Sequence, residues 1–295
     1  MIRTEAQRLS LEAVGALSWA NDEPEWLQER RREAWRIYES IPMPKPTDEE
    51  WRRTDLSGLV LDEVLPFVAD GASVATLGEL PRDLRQALGE MQTGGLLVQR
   101  NSDAAYRRLD PELEKRGVLF IDLETAARDY PELVQQYLLG EALPPSYGKF
   151  AALHAAFWSG GMLLYVPRGV EIDIPLRAHT WMDIPRMGIF PHTLVVLEPG
   201  AKALLLDEYV SPTLDGLNLA SAGVEIYLGE GAQLTYAQAQ DWGRNKLQYW
   251  TCCAGTPGRS SPWASSPLLP DTPLPCSCPI NTPPPPSSWC VRSNQ

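Results

Sequence analysis

The chain predicts a mainly β fold preceded by an α/β region, specifically a β-solenoid that is incomplete at its C-terminal end. Three observations carry this expectation. First, VPRGVEIDIPL (166–176), EPGAKALLLDEY (198–209) and GEGAQLTYAQAQ (229–240) share one pattern of turn, glycine, Val or Ala, then strand, and their glycines Gly169, Gly200 and Gly231 are spaced 31 residues apart. Glycine is the residue that a tight turn with positive φ tolerates best. Second, β-rich runs such as HTLVVLE (192–198) and AGVEIYLG (222–229) lie between these turns, and a fixed period of strand–turn units is the mark of stacked repeats. Third, the next glycine in register would fall at 262, where Pro262 stands in sequence without period, so the repeat reads as cut off rather than capped.

The elements ahead of the repeat follow from local signals. Residues 5–19 and 25–40 read as helices. In the second, Trp26, Leu27, Trp35 and Tyr38 alternate with charge, as on an amphipathic surface helix. IPMPKP (41–46) stops it, because proline lacks the donor a helix needs. Pro81–Met91 and Pro131–Leu139 read as helices, Leu96–Gln99 and Val118–Leu123 as short strands. Lys149–Trp158 is a further helix, closed by Ser159-Gly160-Gly161. The predicted organisation is a helical and mixed α/β region (1–145), a β core (146–251) and a Pro/Ser/Cys-rich tail (252–295).

That tail differs in composition from everything before it. From Cys252 onward it holds all 5 cysteines and 11 of the 27 prolines, but 3 of the 64 charged residues. Such a stretch cannot bury enough apolar surface to offset the entropy of ordering. The sequence therefore predicts a disordered tail, and its abrupt onset reads as an out-of-frame translation. Residues 1–251 carry 24 basic and 37 acidic side chains, a net −13. This balance argues against nucleic acid and against an anionic membrane surface. No run approaches the roughly 20 apolar residues of a transmembrane helix. The N-terminus lacks the apolar stretch of a secretory signal, so a cytoplasmic protein is the expectation.

Few residues suggest chemistry. Of His154, His179 and His192, the last two could meet on adjacent strands and bind a metal; packing roles are the plainer reading, since no cysteine or spaced carboxylate completes a site. Glu171 and Asp173 share a strand face by alternation and could act as paired acids, or simply be solvated. Asp207 and Glu208 point to opposite faces. Cys252-Cys253 and Cys276-Ser277-Cys278 match no common zinc or iron–sulfur spacing. Gly229-Glu230-Gly231 lacks the third glycine and the helix of a dinucleotide loop, and no Walker A sequence is present. The aromatics Phe157, Trp158, Tyr165, Trp181, Trp242, Tyr249 and Trp250 read as packing residues. The predicted catalytic, cofactor-binding and metal-ligating set is therefore empty.

EEWRRTDL (49–56), AFWSGGMLLYVPRGVEIDIPL (156–176) and VLEPGAKALLLDEY (196–209) resemble the SufB/SufD family of iron–sulfur cluster assembly proteins, with the N-terminal region more similar to SufD. The resemblance implies a right-handed parallel β-helix after an N-terminal helical region. It implies a scaffold rather than an enzyme, with no cofactor of its own, working in a complex that builds an iron–sulfur cluster. The implied partners are a SufB-like paralogue and a SufC-like ATPase. In this family the ATPase docks on a C-terminal helical domain that the tail here replaces, so loss of that docking and impaired function are expected. The competing expectations are a β-helix carbohydrate-active enzyme of the secreted type and an inactive structural fragment.

Overall fold

The computed structural model describes residues 8–49, 51, 56–66, 73–243, 248–255 and 288–293. Its helices are α1 (Leu11–Ala20), α2 (Glu25–Ser40), α3 (Arg82–Leu88), α4 (Pro111–Lys115), α5 (Leu123–Asp129), α6 (Pro131–Tyr137) and α7 (Lys149–Phe157). Its strands are β1 (Gly95–Arg100), β2 (Asp103–Leu109), β3 (Leu119–Asp122), β4 (Gly161–Val166), β5 (Leu176–Trp181), β6 (Gly188–Ile189), β7 (His192–Leu197), β8 (Lys202–Val210), β9 (Asn218–Leu228), β10 (Gln233–Asp241), β11 (Gln248–Gly255) and β12 (Ser288–Ser293).

The strands form two sheets. The first runs β2-β1-β5-β8-β10-β12 and the second β3-β4-β7-β9-β11, with β6 beside β9. Inner pairs are parallel, while β2, β12 and β3 pair antiparallel at edges. This corrects the expected right-handed parallel β-helix. The described residues form two mixed sheets with helices, an α/β fold. The physical reason lies in what the glycine period encodes. It fixes which residue lies beside which in a parallel sheet, as in Met162 beside Thr193, His192 beside Gly223 and Lys202 beside Gln233, each 31 residues apart. It does not fix the architecture, which antiparallel edges and flanking helices decide.

Gly169, Gly200 and Gly231 sit at φ +66°, +72° and +69°, so the period does mark left-handed turns. These turns stack: Gly169 N–H donates to Pro199 O and Gly200 N–H to Glu230 O. In VPRGVEIDIPL the turn is not followed directly by a strand, and only its last residue, Leu176, belongs to β5. Pro175 precedes β5, and Glu171 makes only an isolated bridge to Lys202.

Alternation sorts the side chains into layers. Met162, Leu164, Val166, Val195 and Leu197 of the second sheet meet Leu97, Leu176, Ala178, Ala203 and Leu205 of the first in an inter-sheet core. Leu163, Leu194 and Val196 take the other face and bury against α1, α2, α5, α6 and α7. On the far side, α3 lays Leu84 and Leu88 over Leu96, Val98 and Trp181. β5 and β7 are thus buried on both faces, as central parallel strands are.

The helices 25–40, 131–139 and 149–158 stand close to their predicted bounds, and α1 begins later than expected. β11 extends to Gly255, across the predicted boundary at Cys252, and β12 pairs with β10. Residues 256–287, with Cys276, Cys278 and the proline run Pro283–Pro286, lie outside the described residues, as do five residues of the EEWRRTDL motif. The side chains of Cys252, Cys253, Tyr249 and Trp250 do so too.

Candidate functional site

The chemistry-bearing side chains converge where α7 crosses the second sheet. On β7, His192 shares parity with Leu194 and Val196 and so faces the helices; on β9, Glu225 and Tyr227 do the same. α7 is FAALHAAF through its core, and its one polar member, His154, is fully buried. His154 Nδ1 lies 2.8 Å from Ser221 O, its Nε2 lies 2.9 Å from His192 Nδ1, and His192 Nε2 lies 3.0 Å from Glu225 Oε2.

The protons in this chain can be counted. A carbonyl only accepts, so His154 carries its hydrogen on Nδ1. Burial, reinforced by the neighbouring His192, holds the His154 pKa well below its ordinary value, so its Nε2 is bare. His192 Nδ1–H therefore donates to it. One proton is left between His192 Nε2 and Glu225 Oε2. Glu225 also accepts Leu139 N–H at 2.6 Å and Gly140 N–H at 3.2 Å. The arrangement is a buried, hydrogen-bonded His–His–Glu chain. It also secures the turn after α6, where Leu139 sits at φ +52°, a costly conformation for a non-glycine residue. Tyr227 O–H donates to Tyr137 O at 2.8 Å, and burial together with Glu225 pushes its pKa up.

Two further groups flank the site. Asp207 faces the inter-sheet core and accepts from Thr193, Tyr209 and Tyr236 through a single oxygen; burial raises its pKa to about 6. Glu208, on the opposite face, accepts from Arg177 Nε at 2.5 Å and lies 3.0 Å from His179 Nδ1. Burial pulls the Glu208 pKa up, but those two partners outweigh it and the net shift is downward.

His179 and His192 do not meet. They lie on different sheets and on outward faces that point away from each other, and His192 pairs with His154 instead. Glu171 is exposed and ion-pairs with Lys202 at 3.1 Å; Asp173 is exposed and makes no pair with it. Gly229-Glu230-Gly231 is a turn between β9 and β10. Trp158 and Phe157 pack in the helical core, and Trp181 packs under α3. Sequence reasoning missed Glu225. The available signal was one acid inside the apolar strand AGVEIYLG, matched by one histidine inside an apolar helix.

A family profile described as SufBD protein N-terminal region matches residues 15–178, and the SUF system FeS cluster assembly, SufBD core domain, matches residues 180–260. The chain belongs to the SufBD family. The N-terminal SufBD region thus spans α1 to β5, and the SufBD core region spans the rest of the parallel strands through β11. An iron-sulfur cluster assembly SufBD family protein of Staphylococcus haemolyticus is 30% identical over 241 residues, 79% of this chain and 50% of that protein. One from Staphylococcus epidermidis has the same identity and coverage, and one from Staphylococcus aureus is 29% identical over the same length. The chain spans about half the length of the curated relatives it matches. Among the described residues no helix is long and apolar enough to cross a membrane.

Proposed function

We propose that this chain is a SufD-like, non-enzymatic scaffold in iron–sulfur cluster assembly, acting in the cytoplasm beside a SufB-like paralogue and a SufC-like ATPase. The cluster is the cargo of that complex, and ATP hydrolysis belongs to the partner. One observation carries the scaffold reading. The outer side of β11, an eight-residue strand at the end of the second sheet, has no neighbouring strand among the described residues. A parallel sheet that ends in a long open edge offers a row of backbone donors and acceptors to a second chain. The internal chemistry fits the same reading, since the His154–His192–Glu225 group is buried and bonded to the protein rather than turned toward a ligand.

The test is to mix the chain with a SufB-like paralogue and follow hydrogen exchange. A one-to-one complex with slowed exchange at the β11 amides is the expected result. No complex at tens of micromolar, or protection confined to the helical layer, refutes the reading.

A further inference from the structure

A second site lies on the opposite side of the molecule, under the C-terminal end of α3. There a cleft of about 390 Å³ opens on the outer face of the first sheet, a size suited to a small organic ligand. Its apolar walls come from Leu77, Leu88, Met91 and Leu96, and its two cations are Arg108 on β2 and Arg177 on β5. Alternation places these side chains together. Leu96, Arg108 and Arg177 all belong to the sheet face that α3 only partly covers, and Gly89, at φ +58°, turns the chain away after α3 and leaves the gap.

Both guanidinium groups are only part-used. Arg177 is 6% exposed and gives Nε–H to Glu208; its two terminal nitrogens have no acceptor among the described residues. Arg108 uses Nη2 on Thr93 O and Oγ1 at 3.1 and 3.0 Å, and its Nε and Nη1 have no acceptor among the described residues. A largely buried arginine whose terminal nitrogens are left to an apolar cleft is uncommon, because such residues are usually buried only when paired. The fork geometry of guanidinium matches a carboxylate. Glu208 already pairs with Arg177 and Glu90 stands exposed on the rim, so two carboxylates face the two cations. The site disfavours a polyanion and can hold a single small carboxylate through its unused guanidinium donors.

We propose that this cleft binds a small aliphatic monocarboxylate, with the carboxylate held by Arg108 and Arg177 and the chain lying on Leu77, Leu88 and Leu96. The site is separate from the β11 edge, and the inference stands without the scaffold reading. Octanoate is the probe, with octylammonium and inorganic phosphate as controls, all measured by calorimetry on the full chain. Octanoate should bind with a submillimolar Kd, and neither control should match it. Arg108→Gln removes an exposed side chain and should weaken octanoate about tenfold. Met91→Glu, which places a second negative charge on the rim, should weaken it comparably and serves if Arg108→Gln fails to fold. Three results each overturn the proposal: no octanoate binding, phosphate binding as tightly as octanoate, or octanoate binding unchanged in a folded variant.

Discussion

His154 and His192 are joined edge to edge, Nε2 accepting from Nδ1 at 2.9 Å, with both rings fully buried. One ring belongs to a helix and the other to a sheet, so this bond and the Glu225 bond behind it tie the helical layer to the second sheet. The tie requires close approach, and Gly223 on β9 supplies it. A Cβ there would lie 2.3 Å from His154 Nε2 and 2.8 Å from His192 Nδ1.

Gly223→Ala should therefore drive a wedge into the histidine pair. The expected loss is about 3 kcal/mol or more, in the class of overpacking combined with a broken buried network. Gly231→Ala is the control. Its φ of +69° is strained, yet nothing lies within 4 Å of a Cβ there, so about 1–2 kcal/mol is expected. Urea unfolding of both variants decides it, and equal losses would show that the wedge is tolerated.

Glu225→Ala leaves buried His192 Nε2 without its partner and the Leu139 N–H without an acceptor, while Gly140 N–H keeps Tyr137 O. The expected cost is about 3 kcal/mol. Glu225→Gln keeps the shape and one acceptor, and should fall between that variant and the parent. Thermal melts with near-ultraviolet circular dichroism provide the measurement. A Gln variant as damaged as the Ala variant would mean that charge, rather than acceptor geometry, carries the whole effect.

Glu124 sets a pH dependence. It is half-buried beneath Gly160, whose N–H it accepts, and burial followed by repulsion from Asp122 raises its pKa to about 8. A folded-state pKa above the unfolded value means that the native state holds the extra proton. The associated stability is complete below about pH 4.5 and disappears as pH rises to about 8. The amount is on the order of 4 kcal/mol. Glu124→Gln cannot ionise, so its stability should vary less between pH 5 and 8. A variant whose pH profile parallels the parent's would place the titration elsewhere.

His154 has the opposite sign. Its folded-state pKa is lowered, so the unfolded chain takes up the proton first, and stability falls as pH drops below about 6.5. Replacing His154 with Gln should flatten the acid limb of the stability profile while lowering the plateau at neutral pH. An acid limb identical to the parent's would exclude His154 as its source.

The pair Arg31–Glu23 holds the N-terminal helices. Two guanidinium nitrogens of Arg31 reach the Glu23 carboxylate, a third N–H donates to Ala156 O, and the guanidinium stacks 4.4 Å over Trp158. Glu23→Ala should cost about 3–5 kcal/mol by stranding that cation. Glu23→Ala and Trp158→Phe should prove non-additive in a double-mutant cycle, since both act on one guanidinium. Additivity within about 0.3 kcal/mol would separate the two contacts.

Much of the local structure was legible because its signals are local. Prolines bound α2, and the three turn glycines mark their turns through a φ that few other residues accept. The 31-residue step does correspond to sheet neighbours, because equal crossovers place equivalent residues side by side, but the one adjacency named from the sequence, His179 beside His192, does not form. The architecture was not legible, since β2, β3 and β12 attach as antiparallel edges that no period announces. The site escaped for a related reason. His154, His192 and Glu225 are far apart in sequence, and each is an isolated polar residue in an apolar run. Only the layering of α7 on the second sheet brings them together.

That join has a consequence for synthesis. His154 emerges from the ribosome 71 residues before Glu225 (225 − 154). At about 5–20 residues per second, α7 waits roughly 4–14 seconds for the carboxylate that completes its docking. During that interval α2 is already present for one side of α7, but its sheet-facing side and its one buried histidine have no finished surface to close on. Slow translation of the β7 to β9 stretch would lengthen this exposure, which makes the nascent chain a natural client for chaperones that shield apolar helices.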